Sequence, residues 1–225
     1  MKTALFPENR EIKAVIFDLD GTLYETGVLF TPLMLLKNIK YLKKLKAHRK
    51  VMQIARKKDF GSTEELKKFL FSETARISNS SEHSVQRWYE NQFYLSFVSV
   101  LSKFFSPRPG TISLLKRLKE KKIVTAVFSD YGEIEKRLRA INIKKDAVDF
   151  IFSGEEKGAF KPQLRPLKEL LCLMEKSPEE TVFVGDRKDT DGVCAEGAGL
   201  RFIHITNQPE GGDESMLWEE FISIF

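Results

Sequence analysis

The rhythm of apolar and polar positions changes twice along the chain. Ala14, Val15, Ile16 and Phe17 form an unbroken apolar run rich in β-branched and aromatic residues, the pattern of a strand buried on both faces. The run ends on Asp18, at the carboxyl end of the expected strand. From about residue 25 to 105 almost nothing resembles a strand. Thr31 with Pro32 reads there as a cap followed by a first-turn proline, Ser62 and Glu65 stand at capping-box spacing, and Ser81 or Ser84 opens a longer helix through "VQRWYENQFYLSFVSVLSKFF". Pro107, Pro109 and Gly110 then punctuate the chain before a short amphipathic helix carrying Ile112, Leu114, Leu115 and Leu118. Strand candidates follow at "IVTAVFS" from Ile123, "DFIFSG" from Asp149, "TVFVGD" from Thr181 and "LRFIHI" from Leu200, with helical segments near 132–142, 163–175 and 190–198. This alternation predicts an α/β fold with a mainly parallel sheet between two layers of helices. Residues 1–24 and 106–225 would build that core, and residues 25–105 a helical insert.

Composition narrows the function classes. A chain of 225 residues is long enough for one core plus an inserted subdomain. No apolar run approaches the roughly 18 residues of a membrane span, and "MKTALFPENR" breaks at Pro7 and Glu8 before a signal-peptide core can form. A soluble, cytoplasmic protein is expected. Cys172 and Cys194 fall in helical segments without a Cys or His at metal-ligand spacing, so both read as buried thiols. His48, His83 and His204 are scattered, and His204, in a late strand, reads as a hydrogen-bonded structural residue.

The net charge of +5 is unevenly placed: Lys37 to Lys58 contains ten Lys or Arg and no Asp or Glu. Such a run reads first as a solvated helix face. Its alternative is an attractive field for an anionic substrate, nucleic acid or an acidic membrane surface.

The chemistry gathers at the ends of the expected strands, where ligands of open parallel sheets bind. Asp18 and Asp20 flank one leucine, and an extended backbone aims both carboxylates into one volume, which is costly unless a cation sits between them. An EF-hand is excluded, because its glycine stands sixth in the loop and Gly21 stands fourth. Ser129 ends the second strand with a hydroxyl suited to an anion. Lys161 precedes Pro162, which fixes the backbone beside it. Asp186 follows Gly185 at the end of "TVFVG", and Asp191 lies five residues further on.

Together, DLDGT at 18–22, the strand-end Ser129, Lys161 in a Lys-Pro pair and G-D-x-x-x-x-D at 185–191 resemble the motifs of the haloacid dehalogenase superfamily, in outline over the whole chain. The insert is similar to the helical cap of phosphoglycolate-phosphatase-like members. The resemblance implies a Rossmann-like three-layer core, a Mg²⁺ cofactor and a small phosphorylated metabolite as partner. It further implies that Asp18 attacks phosphorus to give an aspartyl-phosphate, and that Asp20 acts as general acid and then base. Asp18, the backbone carbonyl of Asp20 and Asp186 would hold the metal. Asp191 would hold metal-bound water or orient Lys161, while Ser129 and Lys161 would neutralise the phosphoryl group.

Two positions depart from the pattern. Asp130 stands where many relatives have Asn, and is expected to point away or meet a cation such as Lys161 or Arg187. Asp189 is an extra acid, assigned to a solvated helix start. Dehalogenases lack the second aspartate, so Asp20 favours a phosphatase, with a phosphosugar mutase as the alternative. From another class, the chain reads as a nucleic-acid or acidic-surface binder using its basic insert, a reading that intact motifs oppose. The oligomeric state is not legible.

Overall fold

The computed structural model describes residues 11–208 and 215–225, so the amino-terminal stretch read against a signal peptide lies outside the described residues. The elements in chain order are β1 (Ala14–Phe17), α1 (Phe30–Lys37), α2 (Leu42–Ala55), α3 (Thr63–Ser78), α4 (Glu82–Trp88), α5 (Tyr94–Phe104), α6 (Thr111–Glu120), β2 (Val124–Ser129), α7 (Ile134–Ala140), β3 (Phe150–Ser153), α8 (Gly154–Lys157), α9 (Leu164–Met174), β4 (Thr181–Gly185), α10 (Val193–Gly197), β5 (Arg201–Thr206), β6 (Ser215–Leu217) and α11 (Trp218–Ile222).

The strands form one sheet in the order β3-β2-β1-β4-β5-β6, and every neighbouring pair is parallel. The expected α/β layering therefore stands, with β6 as an added edge strand. Successive residues of β1 serve opposite faces of the sheet, as the two-residue period requires. Val15 and Phe17 join a core with Val127, Val182, Val184 and α6, whereas Ala14 and Ile16 join Phe128, Phe183 and Leu167 on the other side. Burial on both faces explains why β1, β2 and β4 read as continuous apolar runs. With β1 between β2 and β4, Phe17 is level with Val127 and Val184. The carboxyl ends of these three strands thus open at one place, beside the point where the chain order of the sheet reverses.

Helices α1 to α5 fall between β1 and β2. Ser62 caps α3 by accepting from the Glu65 N–H at 3.2 Å, and Ser81 caps α4 by accepting from the Ser84 N–H at 3.3 Å. Thr31 is not a cap: α1 begins at Phe30, with Leu29 before it and no side-chain cap bond. The long helix expected from Ser81 is broken by a π-helical turn over Tyr89–Phe93. Another π-helical turn, Lys188–Gly192, precedes α10 and carries Asp191. The aromatic rings of this region are packing elements, with Trp88, Tyr89, Phe93 and Phe97 all buried in the same core as the sheet. Cys194 is buried, but Cys172 is exposed on α9, against expectation. Leu170, Leu171 and Met174 supply the buried face of that helix, leaving Cys172 to solvent. Among the described residues no helix is long and apolar enough to cross a membrane.

Candidate active site

Asp18 leaves β1 with its N–H still bonded to the Val184 carbonyl at 2.8 Å, which fixes the backbone at the base of the site. Its carboxylate is almost entirely buried. Oδ1 accepts from Lys161 Nζ at 2.5 Å and Oδ2 from Thr22 Oγ1 at 3.1 Å. Lys161, 2% exposed, also pairs with Asp191 Oδ1 at 2.8 Å and donates to the Phe128 carbonyl at 3.3 Å. Burial opposes its charge, but Asp18 and Asp191 outweigh burial and hold the ammonium well above the ordinary lysine value.

The oxygens of Asp18, Asp186 and Asp191 lie within 4.8 Å of one another. One lysine cannot neutralise three carboxylates, two of them buried and Asp186 half-buried. Burial drives the Asp18 carboxyl well above the usual range, against the pull of Lys161 and with reinforcement from Asp191 and Asp186. Burial, then Asp191, pushes Asp186 up to about 6. Asp186 Oδ1 is buried with no hydrogen-bond partner among the described residues. Three hard oxygen donors, an excess of negative charge and an orphaned carboxylate oxygen fit a small divalent cation. Gly21, at φ +101°, closes this corner, since a Cβ there would lie 2.1 Å from Asp186 Oδ2.

Asp20 faces the same cleft, but its carboxylate has separate partners. Tyr24 donates to Oδ1 at 2.5 Å. Ser129 Oγ donates to Oδ2 at 3.2 Å, and Arg137 forms a very short ion pair with the same oxygen. Neither Tyr24 nor Arg137 lies in the sequence motifs, and Arg137 carries no local signal, being one arginine in a charged helix. Ser129 sits against Asp20 in this structure. Its single hydroxyl proton goes to Asp20, its oxygen accepts from the Tyr131 N–H at 3.3 Å and Arg137 Nη1 at 3.1 Å, and it is wholly buried.

Asp130 lines the same cleft and meets a cation, as expected, that cation being Arg56. Oδ2 accepts from Arg56 Nε at 3.2 Å and Nη2 at 3.0 Å, while Oδ1 accepts from the Lys161 backbone N–H at 2.8 Å. Arg56 follows α2 at the end of the basic run. The run is mainly a solvated face, with Lys37, Lys40, Lys43, Lys46, Arg49, Lys50, Lys57 and Lys58 all exposed; Lys44 binds the Ser84 carbonyl at 3.0 Å, and Arg49 and Arg56 also line the cleft. Asp189 is exposed and paired with Arg187 at 2.6 Å. His204 is held between Ser215 Oγ at 3.0 Å and the Asp186 carbonyl at 3.1 Å, as a structural histidine.

The cleft above these groups encloses about 350 Å³, with Asp18, Asp20 and Lys161 on one side and Met34, Leu45 and Arg49 on the other. A family model, haloacid dehalogenase-like hydrolase, matches residues 12–199. The chain belongs to that family. Its match is the stretch from β1 to the residues just before β5, which carries every strand-end acid described above.

Within the family, the hydrolase is 31% identical over 112 residues to the glyceraldehyde 3-phosphate phosphatase of Methanocaldococcus jannaschii, an alignment covering 49% of each chain. It thus spans about half the length of that curated relative. Among solved structures, CbbY from Rhodobacter sphaeroides in complex with phosphate superposes with a TM-score of 0.64 at 23% identity, covering 91% of this chain and 93% of that one. The 2-haloacid dehalogenase of Pseudomonas syringae gives 0.63 at 20% identity, covering 91% and 94%. These two show the shared fold; the chemistry has to be argued from the site.

Proposed function

We propose that this hydrolase is a Mg²⁺-dependent phosphatase that cleaves small phosphomonoesters through an aspartyl-phosphate on Asp18. The observation that carries the reading is the Asp18 carboxylate, gripped by Lys161 and Thr22 beside Asp186 and Asp191, with Asp20 facing the same cleft. Asp18, Asp186 and the backbone carbonyl of Asp20 would hold Mg²⁺, which supplies the positive charge that lets an anionic phosphoryl group approach an anionic nucleophile.

The chain's own residues perform the rest. An Asp18 oxygen attacks phosphorus, the bond from phosphorus to the leaving oxygen breaks, and Asp20 gives that oxygen its proton. Asp20, now a carboxylate, takes a proton from a water whose oxygen attacks the same phosphorus. Inorganic phosphate leaves and Asp18 is restored. Lys161 offsets charge on the transferring group, Asp191 keeps Lys161 in place, and Ser129 acts from behind by bonding Asp20. Residues 25–105 serve as a cap whose inner wall, including Met34, Leu45 and Arg49, reads the leaving group and excludes water.

Similarity to a glyceraldehyde 3-phosphate phosphatase supports a small phosphorylated metabolite as substrate. Asp20 speaks against carbon–halogen chemistry, and the pairing of Arg56 with Asp130 draws one end of the basic run into the cleft and away from a nucleic-acid surface. A panel of phosphorylated metabolites, assayed with Mg²⁺ and after chelation, tests the reading. Mg²⁺-dependent release of phosphate is expected, and its absence across the panel from folded protein would sink the proposal.

A further inference from the structure

Arg137 is the largest charged side chain among those wholly enclosed by the fold, with 0% exposure. It rises from α7, eight residues beyond the end of β2, and its guanidinium is engaged through both Nη atoms while Nε has no hydrogen-bond partner among the described residues. Nη1 donates to Ser129 Oγ and the Tyr131 carbonyl at 3.1 Å each and to the Gly132 carbonyl at 3.2 Å, while Nη2 pairs with Asp20. Its planar face lies 4.6 Å from the centroid of Phe97 on α5. Burying a guanidinium is costly unless a counter-charge is in contact, and its ion pair is with Asp20. That counter-charge comes from the motif after β1, so the guanidinium that braces the β2–α7 loop through the Tyr131 and Gly132 carbonyls also holds Asp20. Tyr24 holds the other Asp20 oxygen from the opposite side. The carboxyl group is therefore gripped at both oxygens, which leaves its plane little freedom to turn. Misplacing a proton-transfer group by about 1 Å is enough to cost on the order of a hundredfold in rate.

We infer that Arg137 is a positioning residue that fixes the orientation of the Asp20 carboxyl group for proton transfer, acting through Asp20 and not on the phosphoryl group. Lys cannot replace it fully, because a single ammonium lacks the fork that joins Asp20 to Ser129. The inference rests on the phosphatase reading and adds to it a residue from a helix outside the recognised motifs.

A double-mutant cycle tests it, with kcat and KM measured on an alkyl phosphomonoester. Arg137→Gln is expected to lower kcat by about a hundredfold in the otherwise unchanged enzyme, with KM moving less than about threefold. In an Asp20→Asn background the same substitution is expected to change kcat by less than about threefold, since the group it orients no longer transfers protons. Arg137→Lys should fall between the two in the unchanged enzyme and be equally silent beside Asp20→Asn. Losses that multiply in the double variant would overturn the inference, because they would show Arg137 acting independently of Asp20. Arg137→Lys carries the same cycle if Arg137→Gln does not fold, as judged by its melting curve. Absence of phosphatase activity in the unchanged enzyme would defeat the functional reading itself, an outcome separate from a multiplicative cycle in an active one.

Discussion

Lys161 Nζ lies 2.5 Å from Asp18 Oδ1 and 2.8 Å from Asp191 Oδ1, in a site where all three side chains are almost wholly buried. Removing one member of such a cluster strands the others, at a cost of about 3–5 kcal/mol for a buried pair. Lys161→Met should therefore lower the melting temperature of the chelated protein, and added Mg²⁺ should recover part of the loss by replacing the missing positive charge. Turnover should fall by at least about a hundredfold, because transition-state charge on the phosphoryl group is no longer offset. Calorimetry with and without Mg²⁺, together with kcat, checks both. Unchanged turnover would remove Lys161 from the chemistry.

Asp20→Asn separates proton transfer from nucleophilic attack. An alkyl phosphate, whose leaving oxygen needs a proton, should slow by roughly 10²–10⁴-fold. An activated aryl phosphate should slow less, as its leaving group departs without help. Equal losses on both substrates, with chemistry rate-limiting for each, would contradict the acid role.

The legible part of this site was the part written into strands. Asp18, Ser129 and Asp186 follow apolar runs that reveal where each strand surfaces, so their meeting could be read from order alone. Arg137 and Tyr24 could not be read, because their partnership with Asp20 exists only once α7 and the turn after β1 fold against each other. The same reason hid the Arg56–Asp130 pair, which joins residues 74 positions apart. Local signals also misled where tertiary contacts overrode them. Thr31 has cap chemistry but lies within α1, facing the cleft. The helix from Ser81 has continuous helical character, yet a π-helical turn lets Tyr89 and Phe93 stack at 5.1 Å. The short strand β6 has too few residues to announce itself.

His48 provides a pH dependence confined to the helices between β1 and β2. It is buried against Trp88, Tyr89 and Phe93, with Nε2 unpartnered among the described residues. Burial lowers its pKa from 6.5 to about 4, so the folded chain holds it neutral. Its stabilising effect is complete above pH 6.5 and is lost as pH falls towards 4, by at most about 3 kcal/mol. His48→Phe should remove that component. Denaturant unfolding of both proteins from pH 7 to 4 checks it, and parallel pH profiles would show that His48 is not a source of acid lability.

Within the basic run, position relative to the cleft should decide effect. Arg49 is exposed but lines the cleft, whereas Lys43 and Lys46 are exposed outside its lining and Lys44 is occupied by Ser84. Arg49→Gln should lower kcat/KM for a substrate with a second anionic group by about tenfold while sparing a small aryl phosphate. Neutralising Lys43, Lys44 and Lys46 together should change neither by more than about twofold, because solvated charges are screened. A selective loss from the triple variant would reverse this assignment.

The central claim is covalent: the phosphoryl group passes through Asp18. Rapid acid quenching of the enzyme during turnover of a phosphomonoester, followed by peptide mapping by mass spectrometry, tests it directly. A phosphorylated peptide carrying the modification at Asp18, and missing from the Asp18→Asn protein, is the predicted result. Steady turnover with no phosphorylated peptide, or with the phosphoryl group on another residue, would contradict it.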